Sequence, residues 1–334
     1  MRRSPIILVS RDRRTASQFR GAWTRAAFML RNVDPIEVTR FEIPIVLYLV
    51  RLLYYKLNNK SIMVFGVSEM LLLGWLKPNV GVVTGLGRLL AKSSKNRKVF
   101  FWLLRLLYKN QVLFVLNMSD YNIFTNLGFN NVYRINGEGF KRRIFNSSSL
   151  DFRDVKLNVE KVRFLFVGRF LKSKGVEKLI EIFLQLSSLY PDSLEMYVVG
   201  DTDYSNSDNI EKKYISRKFL NENSNIRFFA YTNSLSKFVN SSTIYVSLSE
   251  REGMPFSVLE MLDVGIPCIL SNVPGHSDLR EIENVMLLKS LDELSTLNIA
   301  KLRSLPRLRD NKIDKYTHET LVLDMVSILK KRGL

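Results

Sequence analysis

Three cations stand where a folded chain gains nothing from them. Arg169, Lys172 and Lys174 follow the apolar run RFLFVG (163–168) and precede GVEKLIEIFLQLSSLY (175–190), whose Val176, Leu179, Ile180, Phe183, Leu184 and Leu186 sit near helical spacing. A helix N-terminus already carries partial positive charge, so cations gathered there cost stability unless something negative joins them. A strand, a turn closed by a glycine, and a helix start also make a phosphate cradle, with open amides at the carboxyl edge of a parallel sheet. On this segment alone, a solvated loop accounts for the charges equally well.

A second constellation, EREGMPFSVLEMLDVGIPCILSNVPG (250–275), sets Glu252 and Glu260 eight residues apart. Gly253 and Pro255 mark a tight turn into a helix whose open amides start near Phe256 to Val258, and Glu260 falls a little over one turn into it. A carboxylate accepts from two hydroxyls at once, which suits a neutral polyhydroxyl ligand. An acidic helix start that merely complements the dipole is the plain structural alternative.

The elements that must hold these residues alternate. Strands are expected at 163–168, 194–201, 225–230, 243–249 and 267–272, with helices at 175–190, 209–220, 233–240 and 255–264 between them and a last amphipathic helix at 318–332. Such alternation indicates a doubly wound parallel sheet. The first half follows the same grammar less regularly: strands at 5–10, 61–66, 80–85, 112–116 and 131–135, helices near 15–30, 44–58, 98–109 and 119–127. The stretch 140–158 has no sustained period and three consecutive serines, as a linker would. Two domains are expected, 1–150 and 151–334, in keeping with a 334-residue chain.

Composition narrows the classes. A chain 46% hydrophobic and 25% charged is globular in type, and one cysteine, Cys268, excludes an internal disulfide framework. With two histidines and one cysteine, neither zinc nor haem is expected, and no divalent ion is expected either. No apolar run reaches the roughly 20 residues of a membrane span, and the N-terminal run is too short for a signal peptide, which points to the cytoplasm. Residues 1–150 hold 24 Lys and Arg against 7 Asp and Glu, a net +17, whereas 151–334 hold 26 against 25. A first half that basic calls for a polyanionic neighbour, nucleic acid or an anionic membrane. No nucleic-acid-binding module is visible. Residues 88–110 interleave Arg88, Lys92, Lys95, Arg97, Lys98, Arg105 and Lys109 with aromatic and aliphatic positions, as an interfacial segment does; a core helix with a solvated basic edge is the alternative.

Over 162–275 the cationic turn, the VVGD strand end and the E-x7-E element together closely resemble the retaining nucleotide-sugar glycosyltransferases of family 4. The resemblance implies an α/β GT-B fold, two Rossmann-like domains facing a central cleft. It also implies roles. Arg169 and Lys174, after Gly168, would hold the donor diphosphate and offset charge on the leaving group. Glu260 would accept from the ribose, and Glu252, with the amides of Gly253 and Met254, would hold the donor hexose. The amides of Val258 and Leu259 would add to the phosphate site, and Ala230 and Tyr231 would line the nucleobase. In the first domain, VGVVTGLGRLL (80–90), N-x-x-D (117–120) and G-x-G (137–139) look like elements of members that extend undecaprenyl-diphosphate-linked oligosaccharides. Many relatives carry a histidine where TGLG stands, so the equivalent contact here would come from Thr84 or the Gly85–Gly87 backbone. The glycine-rich loop usual after the first strand is absent.

These likenesses imply transfer of a hexose or N-acetylhexosamine, from a UDP-linked donor, to a lipid-linked saccharide in O-antigen or capsule synthesis. No cofactor is implied, and the enzyme would be peripheral on the inner face of the cytoplasmic membrane. A GT-B enzyme that does not transfer sugar, such as a nucleotide-sugar 2-epimerase, and a non-catalytic basic membrane scaffold are the competing classes.

Overall fold

Short apolar runs become strands because both faces of a parallel sheet are covered, and all strands here pair in parallel. The computed structural model describes residues 6–9, 37–39, 45–86, 94–140, 161–204, 206–220, 225–232 and 234–333. The helix expected near 15–30, all but the first residue of the linker expected at 140–158, and Gly87, Arg88 and Lys92 lie outside them. The chain divides into two units, Met1–Lys141 with Asp314–Leu334, and Arg142–Ile313.

In the first unit β1 (Ile6–Val9), β2 (Glu37–Thr39), β3 (Ser61–Phe65), β4 (Val80–Val83), β5 (Val112–Val115) and β6 (Val132–Arg134) lie in the order β2-β1-β3-β4-β5-β6. The expected set lacked β2, whose three residues are too few to show a period. Helices α1 (Ile45–Leu57), α2 (Val67–Leu73), α3 (Ser94–Tyr108) and α4 (Met118–Asn126) connect the later strands. Strand alternation sorts the core. Ile62 and Val64 pack with Leu52, Tyr55, Met70, Leu104, Tyr108 and Phe124, from all four helices, on one face. Met63 and Phe65 face the other way.

In the second unit β7 (Val162–Val167), β8 (Leu194–Val199), β9 (Ile226–Phe229), β10 (Thr243–Ser247), β11 (Cys268–Ser271) and β12 (Val285–Leu288) lie in the order β12-β11-β10-β7-β8-β9. The helices are α5 (Val176–Leu189), α6 (Lys212–Leu220), α7 (Phe256–Asp263) and α8 (Ile299–Arg303). The winding direction reverses between β7 and β10. The crevice at their carboxyl ends is where such sheets take ligands. The helix expected over 233–240 is only a 3-10 turn, Ser236–Phe238, because the Phe238 ring packs at 4.8 Å from that of Phe229 and fixes the chain locally. β12 was not among the expected strands either.

The last helix, α9 (His318–Lys331), corrects the division into consecutive domains at 150. Met63, Phe65, Val80 and Val82 need a cover, and Leu321, Val322, Met325 and Leu329 of α9 supply it, so the C-terminus belongs to the first unit. It docks beside the G-x-G segment: the Phe140 amide donates to the Tyr316 carbonyl (3.0 Å) and the His318 amide to that of Phe140 (3.1 Å). The Asn117/Asp120 pair likewise has a local structural task. Both side chains are buried, Asn117 Oδ1 accepts from the Asp120 amide (2.8 Å), and Asn117 Nδ2 donates to Asp120 Oδ2 (3.1 Å), capping α4.

Candidate active site

The two motifs meet at the reversal point of the second sheet. β7 ends at Val167, and the chain turns through Gly168 and Arg169 to a 3-10 turn, Lys172–Lys174, then Gly175 and α5. Gly175 has φ +67°, and a Cβ there would lie 2.3 Å from the Leu248 carbonyl oxygen just past β10. Only glycine allows both that conformation and that approach. The approach brings loops 169–174 and 248–253 together: the Glu250 amide donates to the Ser173 carbonyl (2.9 Å). On the other side, the Ser173 amide donates to Asp208 Oδ2 (2.9 Å).

Two of the three cations, Arg169 and Lys174, have carboxylates of the chain beside them. Arg169 Nη1 lies 2.7 Å from Asp203 Oδ2, with its side chain 61% exposed. Lys174 Nζ donates to Glu252 Oε1 at 2.5 Å, and Ser249 Oγ donates to the same oxygen at 2.8 Å. An ammonium has three donors and a guanidinium five, so each cation keeps capacity for an anion.

At the start of α7, Pro255 is the N-cap, and the Leu259 amide donates to its carbonyl at 3.2 Å. That bond is the first of the helix, which corrects one expectation. Leu259 is spent inside the helix, whereas Val258, one position earlier, has no intrahelical carbonyl to donate to. Gly253 and Glu260 are half-buried and Met254 is buried. Past β9, Ala230 and Tyr231 are exposed, and the Tyr231 amide donates to Asp201 Oδ2 (2.9 Å). Thr84 and Gly85 close the carboxyl end of β4 in the first unit, both half-buried.

Several residues were invisible to pattern reading. Asp203 and Asp208 answer the cationic turn from a loop some 30 residues later. Tyr245 Oη lies 2.7 Å from Ser257 Oγ and 3.2 Å from the Val167 carbonyl, tying α7 to β7. Ser249, Ser271 and His276 form a buried group behind Glu252. Burial holds the His276 imidazole below its ordinary pKa, with the Glu252 carboxylate opposing that shift. The only hint in the sequence is a serine at or next to the end of each of TIYVSLS (Ser249) and PCILSN (Ser271).

The first unit carries a different surface. Val99, Trp102, Leu103 and Leu106 form an outward stripe on α3, with Trp102 63% and Leu106 68% exposed, while Phe101, Leu104 and Tyr108 face the core. Val50, Leu53, Tyr54 and Leu57 form a like stripe on α1, and both helices cover the same sheet face. Residues 45–134 contain twelve Lys and Arg but only two acids, Glu69 and Asp120, both buried. No helix among the described residues is long and apolar enough to cross a membrane.

Two doubly wound parallel sheets, the second bearing a cationic turn against a helix start at its reversal point, define an α/β protein of the GT-B class. Residues 148–285 match the family model described as Glycosyl transferases group 1. Over 167 residues it is 27% identical to the UDP-Gal:alpha-D-GlcNAc-diphosphoundecaprenol alpha-1,3-galactosyltransferase of Escherichia coli, covering 49% of this chain and 41% of the relative. Over 163 residues it is 28% identical to the capsular polysaccharide biosynthesis glycosyltransferase CapM of Staphylococcus aureus, covering 48% and 40%. These matches span about two fifths of the relatives' length. The fold is similar over nearly the whole chain to HepE of Anabaena in complex with UDP-glucose, with TM-score 0.70 and 12% identity over 98% of this chain and 100% of that one.

Proposed function

We propose that the protein is a retaining glycosyltransferase of family 4 that moves a hexose or N-acetylhexosamine from a UDP-sugar to a lipid-linked saccharide during bacterial surface polysaccharide synthesis. The observation that carries this reading is the Lys174–Glu252 pair, which joins the phosphate turn to the E-x7-E loop at the sheet's reversal point. Gly168, Arg169, Lys174 and the amides at the start of α7 hold the diphosphate. Glu260 accepts from the ribose, Glu252 with Gly253 and Met254 holds the sugar, and Ala230 and Tyr231 line the base.

In the reaction the bond between the anomeric carbon and the diphosphate oxygen breaks, and an acceptor hydroxyl oxygen bonds to that carbon on the same face. Its proton passes to the departing diphosphate. The leaving group is a good one, so charge compensation by Arg169 and Lys174 matters more than a strong acid. These side chains supply that compensation without a metal or other cofactor.

The acceptor's lipid and the first unit's surface support work at the inner face of the cytoplasmic membrane. A cation-rich stretch, 45–134, whose two acids are buried and which exposes Trp102, Tyr54 and Leu106, suits anionic lipid. A scaffold without catalysis would need none of the Lys174–Glu252 geometry, and a 2-epimerase would release a free sugar nucleotide instead of a glycolipid. Incubation with UDP- and GDP-sugars and an undecaprenyl-diphosphate-linked acceptor tests the reading. Label should enter the lipid fraction from a UDP-sugar with the anomeric configuration retained, and absence of transfer from every donor would reject it.

A further inference from the structure

Glu252 is held by a directed chain of buried hydrogen bonds that the transfer chemistry alone does not call for. Ser247, Ser249, Ser271 and His276 are all buried, His276 completely. Their protons can be assigned by elimination. Ser249 Oγ faces an acceptor-only oxygen, Glu252 Oε1, at 2.8 Å, so its proton goes there. Ser247 Oγ, 3.2 Å from Ser249 Oγ, then donates to Ser249. Ser271 Oγ donates to the Ser249 carbonyl at 2.5 Å. With that proton committed, His276 Nδ1 meets only acceptors, the Ser271 carbonyl at 2.9 Å and Ser271 Oγ at 3.3 Å, so Nδ1 carries hydrogen. His276 Nε2 has no partner, which burial tolerates only for a neutral ring. The turn before His276 presses on the same loop: Gly275 has φ +71°, and a Cβ there would lie 2.6 Å from the Gly253 carbonyl oxygen and 2.9 Å from that of Glu252.

The consequence lies in the carboxylate's two oxygens. Lys174 and Ser249 both bind Oε1. Oε2 is therefore the oxygen left to accept from a ligand hydroxyl. We propose that Ser249, braced by Ser271 and His276, is a positioning residue that turns Glu252 so that Oε2 alone is presented to the sugar of the donor. This rests on the donor reading above, and it adds a recognition device on which the sugar, but not the nucleotide, depends.

The test compares Ser249→Ala with Ser249→Thr, which keeps the hydroxyl. Calorimetry on the full chain uses UDP and whichever of UDP-glucose, UDP-galactose and UDP-N-acetylglucosamine the wild type binds best. Loss of the anchoring hydrogen bond should weaken the sugar nucleotide about tenfold and UDP less than about twofold. The threonine variant should restore most of the loss. Equal losses for UDP and the sugar nucleotide, or no loss for either, would overturn the positioning role. A wild type that binds UDP but no sugar nucleotide would instead remove the donor reading beneath it. A ligand-free measurement guards against a misfolded variant. The chain has only two histidines, so long-range nitrogen–proton spectra of the wild type, assigned with His318→Gln, report the His276 tautomer. Hydrogen on Nδ1 supports the directed chain, and hydrogen on Nε2 alone contradicts it.

Discussion

Lys174→Ala separates two tasks of one ammonium. Without ligand, Nζ donates to Glu252 Oε1 at 2.5 Å, with the two side chains 24% and 10% exposed. Exposed ion pairs contribute about 0–1 kcal/mol, whereas breaking a buried pair costs roughly 3–5 kcal/mol. This pair is partly screened, and Ser249 still donates to Oε1 in the variant, so about 1–2 kcal/mol of unfolding free energy should be lost. The effect on turnover should be larger. An ammonium about 4 Å from a phosphoryl oxygen at an effective dielectric of about 20 gains roughly 4 kcal/mol. Each ~1.4 kcal/mol is tenfold in rate, so kcat should fall by up to about a thousandfold as the diphosphate gathers charge. Urea unfolding reports the first quantity and initial rates of sugar transfer to the lipid acceptor the second. A folded variant turning over within about threefold of wild type would refute the assignment of Lys174 to the leaving group.

Other perturbations address separate parts of the structure. Glu260→Gln should weaken UDP and UDP-sugar alike, whereas Glu252→Gln should spare UDP and weaken only the sugar nucleotide; equal losses in calorimetry would contradict that division. Gly175→Ala should cost roughly 2–4 kcal/mol in urea unfolding, since it forces a left-handed alanine against the Leu248 carbonyl. Because burial lowers the native His276 pKa, the unfolded chain binds the extra proton as pH falls below about 6.5. Stability from this group is thus intact above that pH and declines below it by at most about 1.4 kcal/mol per unit, until the native ring protonates. His276→Asn should flatten that part of the profile. For the membrane face, the full chain should sediment with anionic vesicles and only weakly with neutral ones, with moderate salt releasing part of it. Trp102→Asp with Leu106→Asp should weaken the binding at least about tenfold, and indifference to lipid charge would return those cations to a solvated surface. A fragment ending near residue 150 is unsuited to this test, because it strips α9 from the first sheet.

Much of the second unit was legible because its signals are local. An apolar run ending in glycine, a cationic turn and a helical period lie within 28 residues, 163–190, and steric and dipolar rules act over that range. The E-x7-E turn is legible for the same reason. Elements whose length falls below a period, such as β2, were not, and the helix expected over 233–240 gave way to ring packing by Phe238.

What the sequence by itself determined is the set of parts: two α/β halves, a positive excess confined to the first, and two motifs carrying Arg169, Lys174, Glu252 and Glu260. Only the tertiary structure decided which parts touch. Strand order put β10 beside β7, and so placed Glu252 on Lys174, 78 residues away in the chain. The same packing turned Ser271 and His276 toward the Ser249 loop, because hydrogen bonds buried between neighbouring strand ends must be satisfied by whatever the sheet brings there. It also sent α9 back to the first sheet. An uncovered apolar face accepts any amphipathic helix that can reach it, and reach is a property of the folded chain that no local pattern records.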